Sequence, residues 1–380
     1  MKNLRFVWAG GISVLAWALL GIFSPGASIP WTSGMVDAAE TMDAAVAYVA
    51  RHCREAGIPL ETGLDPNGTC LVGPEHTALF TSLGQLEAKR TATAPDMAGL
   101  LAHLLSSAGV GEGDRVAIGA SGSFPGFLLA TLAAVEALGA EPVTILSLGA
   151  SSFGATRPAF HLLDLYRVLE AGGFVSAPAV AVSLGGSGDR GGEFDESFRQ
   201  SLFQELHAGD VPVLQEPDLT RNVSNRLSLY GSVAAFVNIG GAEVNLGTSP
   251  QILTLPAGLV TGGGIGGVPD REKVGVRGQP VRIPPRGERG VLFEMVSRGV
   301  PVLHLLHVRG LALRYGLPWD PLPLPAPASL QLRDAQRGKD LRFWLITVGY
   351  VLALAVVAFQ GRFSGQIVQP RDRAVTGLTT

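Results

Sequence analysis

From Arg115 onward the chain alternates short, wholly apolar runs with helical segments, and that alternation leaves few folds open. Arg115–Ile118, Pro142–Leu148, Val180–Leu184, Val211–Leu214, Ala234–Ile239 and Val300–Leu305 read as strands. Helices are predicted between them at Phe127–Leu138, Phe160–Ala171, Glu193–Leu206, Leu219–Leu229 and Gly290–Ser297. A strand with no polar face has to be covered on both sides, and strands joined through helices lie parallel. The expected body is α/β: a doubly wound, mostly parallel sheet with helices on both faces.

Glycine and small polar residues collect just after the strands. The loops are Gly119-Ala-Ser-Gly-Ser123, Gly149-Ala-Ser-Ser-Phe-Gly154, Gly185-Gly-Ser-Gly-Asp-Arg-Gly-Gly192 and Gly240-Gly-Ala-Glu-Val-Asn-Leu-Gly247. In a parallel sheet these ends share one edge, where open α/β sheets bind ligands at the reversal of strand order. Candidate ligand-binding residues are Gly119, Ser121, Gly122, Ser123, Ser151, Ser152, Asn238 and Asn245, with Lys89, Arg90 and Arg157 as nearby cations. The first loop has two readings. As an anion cradle it offers serine hydroxyls beside the N-terminus of the Phe127 helix. As a nucleophile turn it approaches Gly-x-Ser-x-Gly but ends in serine. Ser121 or Ser123 would then be catalytic, with His304 or His307 as base and Asp189 or Asp164 as its orienter.

Other chemistries find less in the sequence. His304 and His307 end an apolar strand, where alternation points them to different faces, and no third ligand accompanies them, so neither a metal nor any other cofactor is expected. The phosphate-binding Gly-x-x-x-x-Gly-Lys-Ser/Thr run and the dinucleotide fingerprint are both missing. Asp65-Pro-Asn-Gly-Thr69 is a turn without the remaining spacing of a calcium loop. A net charge of -3 and the lack of any Lys/Arg run interleaved with aromatics exclude a nucleic-acid partner.

Upstream of the sheet, Met35–Arg54 has apolar residues at helical spacing, and a second helix is expected from Asp96 to Ala108, capped by Asp96 or a nearby threonine. Leu255–Arg289, rich in Gly, Pro and charge, reads as a mobile excursion or lid, and Tyr315–Pro325 as a stiff connector. The ends carry apolar runs, Phe6–Phe23 and Phe343–Phe359, the first about 27 Å long as a helix. They are expected to cross a membrane twice. Lys2 and Arg5 would keep both termini cytoplasmic and the body outside; a signal peptide cleaved near Gly26-Ala-Ser28 is the alternative for the first run. The expected divisions are 1–33 (anchor and linker), 34–110 (helical segment packing on the body), 111–325 (α/β body with an excursion near 255–289) and 326–380 (linker, second span and tail). For the two cysteines, Cys53 and Cys70, two readings stay open: a disulfide in an oxidising compartment, or unrelated small apolar side chains.

Several segments together resemble the poly-γ-glutamate system protein family, associated with bacterial production of the γ-linked glutamate polymer. They are Leu83-Gly-Gln-Leu-Glu-Ala-Lys-Arg-Thr91, Val116-Ala-Ile-Gly-Ala-Ser-Gly-Ser-Phe-Pro125, Ser147-Leu-Gly-Ala-Ser151, Asn238-Ile-Gly-Gly241 with Asn245-Leu-Gly247, and Gly299-Val-Pro-Val-Leu-His-Leu-Leu306 with Tyr315-Gly-Leu-Pro-Trp-Asp-Pro321. The chain departs from the family pattern at Cys70, where glycine is expected, and in Gly186-Ser-Gly-Asp189, which is less polar than expected. The resemblance implies a membrane-anchored part in polymer synthesis or export. The expected partners are poly-γ-glutamate or another anionic polymer, the membrane, and the membrane proteins of a synthase complex. A hydrolase or transferase of γ-glutamyl amide bonds using a serine nucleophile is the alternative.

Overall fold

The computed structural model describes residues 2–23, 26–260, 274–276, 279–335 and 341–363. The chain forms two compact units, Met1–Ile29 with Arg333–Thr380, and Pro30–Leu332. In chain order the elements begin with α1 (Lys2–Phe23), β1 (Ala27–Ser28), α2 (Ser33–Glu55), β2 (Phe80–Ser82), α3 (Leu86–Thr91) and α4 (Asp96–Ser107). The alternating portion runs β3 (Arg115–Ser121), α5 (Pro125–Ala137), β4 (Glu141–Ser147), β5 (Ala150–Ser151), α6 (Leu162–Ala171), β6 (Ala181–Ser183), α7 (Glu196–Ala208), α8 (Leu219–Tyr230), β7 (Ala235–Ile239) and α9 (Glu243–Leu246). Then come β8 (Gly258–Val260), β9 (Val274–Val276), β10 (Gln279–Val281), α10 (Val291–Ser297), β11 (Val302–Leu305), α11 (Val308–Tyr315), β12 (Arg333–Asp334) and α12 (Leu341–Phe363).

In the larger unit six strands form one sheet in the order β6-β4-β3-β7-β11-β8. Neighbours are parallel except β8, which runs antiparallel to β11 and makes the sheet mixed. Val211–Leu214, expected as a strand, contributes a single bridge between Val213 and Val182. β8 lies inside the stretch expected to be a lid: Val260 is paired with Val302 and is fully buried. Three residues are too few for an alternation signal, and the Gly/Pro content around them masked the strand. Residues 261–273 and 277–278, which include Gly262-Gly-Gly, lie outside the described residues.

The apolar character of each element follows from its layer. α5 is buried on every side from Pro125 to Val135 because it lies between the sheet and the outer helices α2 and α4. A helix so enclosed has no polar face to keep. Against the opposite side of the sheet, Val223, Leu227 and Tyr230 of α8 and Phe293 and Val296 of α10 pack on Ala117, Val143, Phe236 and Val302. The Asp96 helix is not capped by its aspartate. Pro95 is the cap residue, and the Asp96 carboxylate instead accepts N–H bonds from Ala328 (2.7 Å) and Leu330 (3.2 Å), with burial pushing its pKa up. The Tyr315–Pro325 connector is likewise pinned: Asp320 receives both Arg90 Nε (2.6 Å) and Nη2 (2.5 Å).

The expectation of two membrane spans is corrected. Among the described residues no helix is long and apolar enough to cross a membrane. The two apolar runs are helical, as α1 and α12, but a span needs length and apolarity together. Within this smaller unit α1 and α12 pack on one another, and the Ser13 hydroxyl lies 3.0 Å from that of Tyr350. The placement of both termini in a cytoplasm and of the body outside rested on those spans, and loses its basis with them. Ala27–Ser28, near the cleavage point considered for a signal peptide, pairs as β1 with β12.

Candidate functional site

The chain leaves β3 for β4 and β6 on one side and returns to β7 on the other, so strand order reverses between β3 and β7. At the carboxyl ends of these strands stand Ser121 and Gly240, and they are in close contact. A Cβ on Gly240 would lie 2.2 Å from Ser121 Oγ, and its φ of +81° also favours glycine. Two adjoining cavities open here. One, of 170 Å³, is lined by Ser121, Ser147, Glu193 and Glu243 among others; the second, of 230 Å³, by Lys89, Ser151, His307 and Arg309. Ser82, Ser123 and Gly241 line both, so the two are lobes of one crevice.

Each of the three adjacent strands β3, β4 and β6 ends in serine: Ser121, Ser147 and Ser183. Ser121 donates to Ile239 O (3.3 Å). Ser147 and Ser183 join a buried network around Asp189, whose carboxylate accepts from Ser183 Oγ (2.7 Å), Asn222 Nδ2 (3.2 Å) and Arg226 Nη2 (2.6 Å). Arg226 Nη2 also donates to Ser183 Oγ (2.9 Å) and Ser147 Oγ (3.3 Å). Asp189 is thus committed to a buried ion pair and Asp164 to the His161 capping box, so neither orients His304.

His304 lies in a cross-sheet row with Asn238 and Gly119. Its Nδ1 is 3.1 Å from Asn238 Nδ2, and burial pulls its pKa down to about 4, which keeps the ring neutral. Asn245 packs over Gly119, where a Cβ would approach its Nδ2 to 2.6 Å. Asn238 Oδ1 and both polar atoms of Asn245 are buried without a hydrogen-bond partner among the described residues. This asparagine–histidine group sits beneath the sheet edge and lines neither lobe.

The three expected cations separate. Arg90 is held by Asp320, and Arg157 donates to Cys70 O (3.3 Å) and Val72 O (2.9 Å) beside a different cavity of 660 Å³. Only Lys89 reaches the crevice. Its Nζ donates to Ser151 Oγ (2.6 Å) and Ser123 O (2.5 Å) and lies 3.8 Å from the centre of the Phe124 ring. Burial lowers its pKa to about 7. Ser123 Oγ accepts the Ser151 N–H (3.1 Å), and Gly122 N–H is bound by Ser147 O (2.9 Å) and Gly149 O (3.1 Å), so the loops after β3 and β4 are fastened together. Ser152 is fully buried, its hydroxyl without a partner among the described residues.

Sequence reasoning missed Arg226, Asn222, Glu193, Glu243 and Arg309. The recurrence of serine at strand ends was a signal for Ser147 and Ser183. For Arg226, on a helix 37 residues beyond its partner, the sequence carries none. Among the described residues no group of three or more His, Cys, Asp or Glu side chains is placed to hold a metal. No protein-family model, curated protein or solved structure matches the chain. The likeness to the poly-γ-glutamate system protein family therefore stands on the residues quoted for it.

Proposed function

We propose that the chain takes part in handling a γ-linked glutamate polymer, holding its amino-terminal units in the crevice between β3 and β7. The observation that carries this reading is the division of charge between the lobes: Lys89 and Arg309 in one, Glu193 and Glu243 in the other. Glu193 holds Ser187 by its N–H and hydroxyl and Glu243 accepts the Gly188 N–H (3.2 Å), which fixes both carboxylates on the lobe, where they would repel a uniform polyanion. A γ-linked chain, however, has an α-carboxylate on every unit and a free α-ammonium only on its first. The first unit thus offers both charges on one carbon, the carboxylate to the basic lobe and the ammonium to the acidic one, while serine hydroxyls bond the γ-amide that links it to the second unit.

The test is calorimetric titration of the full chain with a short γ-glutamyl oligomer, with its amino end free or acetylated. The free form is expected to bind in a salt-sensitive manner, with about tenfold weaker binding after acetylation and again in Arg309→Glu, about 1.4 kcal/mol in each case. No binding of the free oligomer, or equal binding of an α-linked oligomer of the same length, overturns the proposal.

A further inference from the structure

We propose that Ser151 and Lys89 form a serine–lysine catalytic pair that cleaves or transfers an acyl group at an amide or ester carbonyl entering the basic lobe, with Ser151 as nucleophile and Lys89 as general base. The geometry comes first. Lys89 Nζ is 2.6 Å from Ser151 Oγ, both residues line the lobe, and both are at least nine-tenths buried. No carboxylate pairs with Lys89 among the described residues. A buried ammonium with only a hydroxyl, a carbonyl and a ring face around it sheds its proton easily, in line with its pKa of about 7. In the neutral amine the contact reverses: the Ser151 hydroxyl donates to the Nζ lone pair, while the two N–H groups keep Ser123 O and the Phe124 ring.

The surroundings hold this pair and leave it open. Ser151 N–H is fixed by Ser123 Oγ, and Ser152 N–H by Ser82 O (2.9 Å), so the β5 backbone on both sides of the hydroxyl is tied down. Gly84 stands against the pair: a Cβ there would lie 3.1 Å from Ser151 Oγ and from Lys89 Cε, and 2.6 Å from Ser152 O. Its missing side chain keeps the space beside the nucleophile free. Gln85, His307 and Arg309 line the same lobe and are the donors at hand for the oxygen that becomes negative. His307 and Arg309 are also the titratable and charged groups that line the lobe with Lys89, and Glu193 and Glu243 stand in the adjoining one.

The steps balance without any cofactor. Lys89 Nζ takes the hydroxyl proton as Ser151 Oγ bonds the carbonyl carbon, and the carbonyl π pair moves to oxygen. When that pair returns, the bond to the leaving amine breaks and the amine takes the proton from Lys89. The acyl group, now an ester on Ser151, passes to water or to a second amine. Lys89 takes a proton from this acceptor and returns it to Ser151 Oγ as the ester bond breaks. The γ-glutamyl identity of the substrate rests on the polymer reading above; the pair itself does not.

A fluorophosphonate probe applied to the full chain separates the two, because it needs an activated serine and no polymer. The expected result is one adduct, on Ser151 by peptide mapping, forming about tenfold faster at pH 8 than at pH 6, because deprotonation of Lys89 near pH 7 creates the base. Ser151→Ala should abolish labelling and Lys89→Met should slow it at least a hundredfold, with circular dichroism and a cooperative melt showing each variant folded. If a variant fails to fold, the pH profile and adduct site in the unaltered chain decide. An adduct on Ser121 or Ser123, a pH-independent rate, or no adduct on the folded chain overturns the pair while leaving the binding titration unaffected.

Discussion

Asp189→Asn is expected to cost about 3–5 kcal/mol of folding free energy, because it leaves Arg226 as a buried charge without its counter-ion. Arg226 is 0% exposed and its partner carboxylate 3% exposed, so water cannot replace the lost charge. Asparagine is the informative replacement because position 189 has φ +59°, a left-handed conformation that asparagine tolerates and most residues do not. The remaining contacts to Arg226, Ser183 Oγ, Ser147 Oγ and Asn222 Oδ1, are neutral and do not balance a guanidinium. Adding Arg226→Gln should recover part of the loss, since a neutral buried pair escapes the cost of unpaired charge. Urea unfolding of the single and double variants measures both. A loss below about 0.5 kcal/mol in the single variant would mean that the ion pair adds little to the fold.

Reduction of the disulfide is expected to cost about 3 kcal/mol, the entropy of opening a loop of this length in the unfolded chain. Cys53 and Cys70 are bonded, 17 residues apart, tying α2 to the segment that follows it. Position 70 carries a second element of the expectation. Its φ is +65°, the left-handed region, which costs a non-glycine residue about 1–2 kcal/mol. Cys53→Ala/Cys70→Gly should therefore fall short of the full penalty, and Cys53→Ala/Cys70→Ala should meet or exceed it. Denaturant unfolding with and without reductant orders the three species; equal stability of the Gly and Ala forms would remove the conformational part of the account. Since Cys70 O accepts from Arg157 and Cys70 N–H donates to Asp65 Oδ2, the loosened segment is the wall of the 660 Å³ cavity rather than of the crevice.

The layered α/β architecture was legible because a buried parallel strand leaves an unbroken apolar run, and five of the six expected strands lie in the sheet. The position of the crevice was legible too, since small residues after β3, β4 and β7 mark one edge. Its chemistry was less so. Lys89 and Arg90 are adjacent, yet one turns into the crevice and the other meets Asp320, a residue 230 positions away. Nothing local distinguishes them. Position 70 has a left-handed backbone that favours glycine, yet the residue that occupies it is half of a disulfide, and nothing local in the sequence marks that conformation. The membrane expectation rested on two apolar runs at the ends of the chain, and among the described residues no helix is long and apolar enough to bear it out.

The larger unit also begins and ends at nearly one place. Trp31 Nε1 donates to Leu330 O at 2.7 Å, the Trp31 ring covers Gly99 so closely that a Cβ there would fall 2.3 Å from it, and Asp96 grips Ala328 and Leu330 from the same side. With its first and last segments knotted to α4, this body is closed in space although open in sequence. Such a body suits circular permutation: residues 30 and 332 joined by a short linker, and new ends cut at exposed Gly209, would leave the crevice and its supporting network in a single uninterrupted scaffold.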